Sequence, residues 1–369
     1  MVLRFFLFYV VFIVLISCST IPSKDKISKN ASVSDKKESF LTIAVPGRPR
    51  NPILNDIDKD SVNELIIVAK SPWLYVFDVN DKTFYLKKRH DVFTHNTYLL
   101  SVDIDNDGDI DLIPITESLI GPFLLNDGKG KFNLKNISLK SPKFGIYLSA
   151  SDINLDSHQD LLAVGFLDEQ VYLYLNQGKL NFKLYRLLPP KSNRYFGNQK
   201  GMKEIRPIVF DNQKAFLISD YFGQRVLLLK MSFDNNLEYK FYTLYESHST
   251  ISSSLFFENT DGNYLVVCEE ASKRLVFLKR DQSGSFVPFK TVSVPKAFPR
   301  KLLRKDNFWV AFWINPGKTI IQLYHNLDLI RTFELNRRRC EDGFIGDHFI
   351  WCADVYNNEI VGVGYATEK

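Results

Sequence analysis

The chain has 369 residues, 45% hydrophobic and 14% aromatic, enough to bury a large core. Its net charge of +5 is too small to argue by itself for a nucleic-acid protein. Thirty Phe and seventeen Tyr beside four Trp and three Met favour strands.

The N-terminal stretch MVLRFFLFYVVFIVLIS (residues 1–17) sets one basic residue, Arg4, before an almost unbroken apolar run. The run is short for a membrane span and no basic stop follows it, so it reads as an export signal. It ends in Leu15-Ile16-Ser17-Cys18, which resembles the lipobox of bacterial lipoproteins. The alternatives are an ordinary signal peptide with a chance cysteine, or an uncleaved anchor. The resemblance implies that Cys18 becomes a diacylated N-terminus holding the protein on a membrane surface. In that family Ser rather than Asp after the cysteine, as at Ser19, implies the outer over the inner membrane. Residues 18–39 are rich in Ser and Lys, lack apolar periodicity, and read as a flexible tether. The folded part is then expected over 40–369.

From there the chain repeats. DIDKDSVNE (56–64), DIDNDGDID (103–111) and DINLDSHQD (152–160) are each followed by an apolar strand, LIIVA, LIPIT or LLAVG. Each is preceded by another strand, and each is followed by a third and a hairpin turn such as Asn126-Asp127-Gly128 or Asn176-Gln177-Gly178. One unit is four antiparallel strands in about 48 residues, the size of a propeller blade. Residues 205–244, 254–292, 301–335 and 340–365 repeat the outline without the aspartates. That makes seven units, the seventh lacking an outer strand. FLTIAV at 40–45 is a spare strand that would complete it and close the ring, removing the free sheet edges. The expected fold is therefore all-β, a seven-bladed β-propeller of four-stranded antiparallel blades.

The pattern D-x-[DN]-x-D-[GS]-x-x-[DE] between the first two strands of a blade resembles the FG-GAP/VCBS repeat of integrin α-chain propellers and many bacterial surface proteins. Phe144-Gly145, eight residues before Asp152, match the family's Phe-Gly, while Gly-Ala-Pro is missing from every unit. The match covers about residues 53–185. It implies a propeller with calcium in the hairpins between the first and second strands, and no single shared activity.

Calcium takes six to eight oxygen ligands, which alternating carboxylates in a turn can supply. In the second loop the ligand positions are the side chains of Asp103, Asp105, Asp107 and Asp111, with the Asp109 backbone carbonyl. In the third they are Asp152, Asn154, Asp156 and Asp160, with the carbonyl of His158. In the first they are Asp56, Asp58, Asp60 and Glu64, with the carbonyl of Val62, although Ser61 and Val62 suit a tight turn less well. An EF-hand is excluded because Pro114 stands where its twelfth-position Glu belongs and the flanks alternate like strands. Polar Asx turns without metal are the plain alternative, and three copies in matching context argue against them. Magnesium, which keeps waters and octahedral geometry, fits less well. Up to three structural Ca2+ ions are expected.

Besides Cys18 there are Cys268, Cys340 and Cys352. The last two flank a turn at 345–348 and would face each other across a hairpin, so an exported chain could bridge them; buried thiols are the alternative. His90 and His95 lie in a connection with no partner motif, and no phosphate loop, dinucleotide fingerprint or nucleophile elbow occurs. The connections entering the blades are basic and aromatic, and a propeller gathers them on the face opposite the acidic loops. Arg48, Arg50, His95, Lys143, Arg194, Tyr195, Arg300 and Arg339 are the candidate ligand-binding residues there, for an anionic glycan or an acidic protein patch. The function expected is a non-enzymatic, envelope-anchored binding or scaffold module. The rivals are a polysaccharide lyase or glycosidase with its site in the channel, and a subunit of an envelope assembly complex.

Overall fold

The computed structural model describes residues 40–80, 83–92, 96–193, 199–233 and 236–365. The export signal, Cys18, the tether, His95, Arg194 and Tyr195 lie outside them. The described residues form seven four-stranded antiparallel sheets and no helix. The first blade runs in chain order from β2 (Pro49–Asn55) through β3 (Glu64–Ala69) and β4 (Trp73–Asn80) to β5 (Thr83–Asp91). The innermost strands of the next blades are β6 (Asn96–Val102), β10 (Ile146–Ser151), β14 (Glu204–Phe210), β18 (Ile251–Asn259), β22 (Phe298–Lys305) and β26 (Cys340–Ile345). Each touches the next, and β26 returns to β2, so the ring is closed.

Stacking of blades explains the sequence pattern. The second strand of a blade is covered on both faces, and every residue of β3 is buried. Such strands read as continuous apolar runs, whereas outer strands, exposed on one side, alternate. One buried apolar cluster fills each blade–blade interface. Between blades 5 and 6, for example, Val266 and Phe277 meet Trp309, Trp313 and Tyr324. Trp309 and Tyr324 stack at 4.0 Å, and the buried indole N–H of Trp313 donates to Gln322 at 2.9 Å.

The seventh blade closes as expected. β26, β27 (Phe349–Asp354) and β28 (Glu359–Gly364) receive β1 (Phe40–Ala44) as their outer strand, with Leu41 opposite Gly362. A disulfide joins Cys340 to Cys352 across β26 and β27, with Cα atoms 5.5 Å apart. Cys268 is a buried thiol whose pKa burial raises.

Blades 1–3 differ from the rest in the hairpin between first and second strands. In blades 4–6 the strands pair to the very tip, Phe210 with Gln213, Asn259 with Gly262 and Lys305 with Phe308. In blades 1–3 pairing stops at Asn55–Glu64, Val102–Asp111 and Ser151–Asp160, leaving 56–63, 103–110 and 152–159 as loops. Among the described hairpins between first and second strands, only these carry a long loop.

Candidate functional site

The three acidic loops share one hydrogen-bond scheme. The first carboxylate accepts two amides: Asp56 from Asp60 and Ser61, Asp103 from Asp107 and Gly108, Asp152 from Asp156 and Ser157, all at 3.0–3.2 Å. The carboxylates of Asp60, Asp107 and Asp156 accept the amides of Val62, Asp109 and His158. The last residue, Glu64, Asp111 or Asp160, is fully buried and accepts the amide of Ile57, Ile104 or Ile153. The reversal requires positive φ at Ser61 (69°), Gly108 (87°) and Ser157 (70°), which only glycine adopts without strain.

In blade 2, Asp103, Asp105 and Asp111 each direct a carboxylate oxygen into one cluster within 4.8 Å. One Asp105 oxygen is buried there with no hydrogen-bond donor. Burial lifts the Asp111 carboxyl to about 6, and burial followed by the neighbouring Asp107 raises that of Asp105. The Asp109 side chain turns away to an ion pair with Lys59, consistent with a backbone rather than side-chain role. These residues fit a hard divalent cation: converging oxygens, an unsatisfied buried acceptor and excess negative charge.

Blade 3 keeps the scheme, and burial lifts Asp160 to about 6. Its carboxylates do not converge as tightly among the described residues: the Asn154 amide donates to Asp156 at 2.8 Å, and His158 Nδ1 stands 3.3 Å from it.

Blade 1 brings Asp56, Asp58 and Glu64 together, but a lysine binds two of the three. Lys87 Nζ, from β5, lies 2.6 Å from Asp58, 3.1 Å from Glu64 and 2.9 Å from Asp78. The sequence reading missed Lys87, although the basic run KKRH at 87–90 and the replacement of Asp by Glu64 were its traces.

Two asparagines lock the loops to the blade that follows. Asn126, ending β8 (Phe123–Asn126), donates to the Ile57 carbonyl at 2.6 Å. Asn176, ending β12 (Val171–Asn176), donates to the Ile104 carbonyl at 3.0 Å. Their backbone amides in turn bind Asp111 and Asp160, both at 2.8 Å.

The opposite face is a funnel of about 230 Å³ at the mouth of the channel, reached by Lys70, Glu117, Phe144, Lys203, Arg300 and Glu341. A second cavity of about 570 Å³ opens on the acidic-loop side. They meet at a waist of Tyr98, Tyr147, Glu204, Lys301 and Asp342. Glu204 is 5% exposed and accepts from Arg206 at 2.6 Å, Lys301 at 2.8 Å and Ser253 at 2.6 Å. Burial opposes its charge, but the two cations prevail and hold its carboxyl down at about 2. The rings of Tyr98 and Tyr147 lie 6.1 Å apart beside it.

The face expected to be basic carries carboxylates as well. Arg50 and Arg339 both bind Glu341, at 3.0 and 2.5 Å, and Arg300 binds Glu270 at 2.9 Å. Lys203, nearly buried, binds Glu270 at 3.1 Å, and burial with the nearby Arg300 brings its ammonium down to about 8. Arg48 and Lys143 are exposed and carry no ion pair among the described residues. Carboxylates from the inner strands and from the loops between middle strands neutralise the other cations, giving a mixed-charge mouth. Phe144, Leu119 and Leu167 are exposed on the loops around it. A Cβ on Gly145 would come within 2.7 Å of Phe166, which accounts for the glycine at this turn, and Phe144 before it has φ 49°.

No family model matches the chain, and no curated protein matches it. Solved structures do. Virginiamycin B lyase from Staphylococcus aureus superposes with a TM-score of 0.59 at 13% identity, covering 89% of this chain and 100% of the lyase. The Cps50 (Swd1) β-propeller domain from Myceliophteria thermophila gives 0.60 at 11%, covering 88% and 99%. The computationally designed Ika8 protein gives 0.52 at 10%, covering 88% and 98%. What they share is the fold. An enzyme and a designed protein stand side by side in that set, so the architecture itself selects no chemistry.

Proposed function

We propose that this protein is a non-enzymatic binding module of the bacterial cell envelope, tethered by lipid on Cys18, which captures a partner bearing anionic groups at the channel mouth. The observation that carries this reading is the mouth itself. It is a shallow concavity of fixed, mutually paired charges, with exposed Arg48, Lys143 and Phe144 in the loops on that face. Preorganised charge beside exposed aromatic surface suits recognition of a polar partner. Glycosidic acid catalysis needs a carboxyl with a raised pKa. Here burial is overcome by Lys203 and Arg300 at Glu270, and by Arg300, Arg50 and Arg339 at Glu341, so both carboxyls sit below their usual range.

Calcium in this reading is structural. Asp103, Asp105, Asp107, Asp111 and the Asp109 carbonyl would hold one ion, and Asp152, Asn154, Asp156, Asp160 and the His158 carbonyl a second. Such ions neutralise loops whose carboxylates otherwise repel, stabilising the folded state by linkage.

The test is binding of the soluble domain to an array of anionic envelope glycans, with acidic protein fractions as a second arm. Charge reversal in Arg48→Glu/Lys143→Glu, combined with Phe144→Ala, should reduce capture at least tenfold in one arm. Undiminished binding refutes the proposed face. Turnover of a uronic-acid polysaccharide, lost in Lys203→Met or Glu341→Gln, establishes the lyase reading instead.

A further inference from the structure

Blade 1 carries an acidic loop of the same construction as blades 2 and 3, yet its outer strands are built differently. The Lys87 ammonium has three protons and three carboxylate partners, Asp58, Glu64 and Asp78, at 2.6, 3.1 and 2.9 Å. Its hydrogen-bonding capacity is filled. We infer that Lys87 is a built-in cation standing in the place a metal ion would take, so that the blade 1 hairpin is complete without calcium.

Three departures from the other acidic blades converge on this one contact. First, the loop ends in Glu64 rather than an aspartate, and the longer side chain reaches both the Ile57 amide and Lys87. In blades 2 and 3 the corresponding carboxylates spend their second oxygen on the amides of Asn126 and Asn176. Second, Asp78 pairs with Glu64 at a position that corresponds by register to Leu125 and Leu175. The third carboxylate is thus peculiar to blade 1.

Third, Lys87 is the extra residue of a β-bulge: Phe77 pairs with Leu86 and Val76 with Lys88, leaving Lys87 without an opposite number. A bulge re-aims one side chain out of the strand's alternation. The equivalent hairpins, β8 with β9 (Phe132–Lys135) and β12 with β13 (Phe182–Leu187), pair without a shift. Blade 2 has a lysine nearby as well, but Lys59 binds the Asp109 side chain, whose carbonyl is the expected ligand, and so leaves the Asp103–Asp105–Asp111 cluster open.

The inference rests on the calcium reading of the other two loops, and the experiment separates the two. Chelator-treated protein is titrated with Ca2+ by calorimetry and native mass spectrometry, in the wild type and in Lys87→Met. Hydrogen exchange of the wild type with and without Ca2+ supplies a readout that needs no variant. The expected result is one more bound Ca2+ in Lys87→Met than in the wild type. Exchange should slow in 103–111 and 152–160 on adding Ca2+, and stay unchanged in 56–64. A wild type that binds none, beside a variant that binds one, supports the Lys87 inference and removes calcium from blades 2 and 3. Equal stoichiometry in the two proteins, or Ca2+-dependent protection of 56–64 in the wild type, overturns it. If Lys87→Met folds only with Ca2+ present, that too supports it, and the exchange result decides if the variant does not fold at all.

Discussion

The asparagine clasps between blades make a quantitative test of how the acidic loops are held, because two equivalent positions differ in their hydrogen bonding. Asn176 donates to the carbonyls of Ile104 (3.0 Å) and Gln159 (3.3 Å), and its own side-chain oxygen accepts the Gly178 amide at 3.1 Å. Truncation in Asn176→Ala strands the carbonyl of the fully buried Ile104 and removes two further bonds. A buried unsatisfied group costs about 1–3 kcal/mol, so the sum is about 2–3 kcal/mol. Asn126 makes one strong bond, to the Ile57 carbonyl at 2.6 Å, while its side-chain oxygen is buried without a partner. Asn126→Ala therefore strands one carbonyl but also removes an unsatisfied acceptor, for a net of about 1 kcal/mol. For a domain spanning 40–365, unfolding entropy near 2 cal/mol/K per residue turns these into Tm drops of about 3–4 °C and about 1–2 °C. Guanidinium unfolding at fixed Ca2+, with calorimetry, reads both. Asn176→Asp should be at least as damaging as Asn176→Ala, since a carboxylate then faces two carbonyls. Equal costs at the two positions, or a larger one at Asn126, would refute the reasoning.

Three further outcomes follow from the geometry. Reducing the Cys340–Cys352 bridge, or replacing both residues with alanine, should lower stability by about 3 kcal/mol in guanidinium melts, with the closing blade the first to lose exchange protection. Burial, aided by Lys88, brings His90 from 6.5 down to about 4, and its Nε2 has no hydrogen-bond partner. The unfolded chain then binds the proton more readily, so this contribution is complete above pH 6.5 and is lost as pH falls toward 4; His90→Phe should flatten the stability–pH curve in that window by up to about 1.4 kcal/mol per pH unit. Glu204→Gln should cost about 3 kcal/mol, because it removes the carboxylate that Arg206 and Lys301 share and leaves only Asp342, 3.9 Å from Lys301, beside them; a variant as stable as wild type would count against that network.

Seven blades were legible because face-to-face packing writes a local signal: middle strands become apolar runs such as LIIVA and LLAVG, and turns punctuate them. The closing strand 40–44 was legible for a topological reason, since the seventh unit was one strand short. The loop carboxylates were legible because their mutual bonds span two to seven residues. Arg50 and Arg300, from the basic connections, line the mouth, but the carboxylates that pair with them were not legible. Glu341, which binds Arg50, lies 291 residues away in sequence, and only closure of the ring brings the two together.

The amino-acid sequence by itself therefore determined the blade count, the ring closure and the placement of three acidic hairpins, all products of periodicity and short-range bonding. Tertiary structure alone decided which charges are already answered. A bulge turned Lys87 into the first acidic loop, and carboxylates from inner strands and from loops between middle strands neutralised most of the cations at the mouth. Electrostatic pairing acts through distance in space, and a closed ring makes neighbours of residues that the chain keeps far apart.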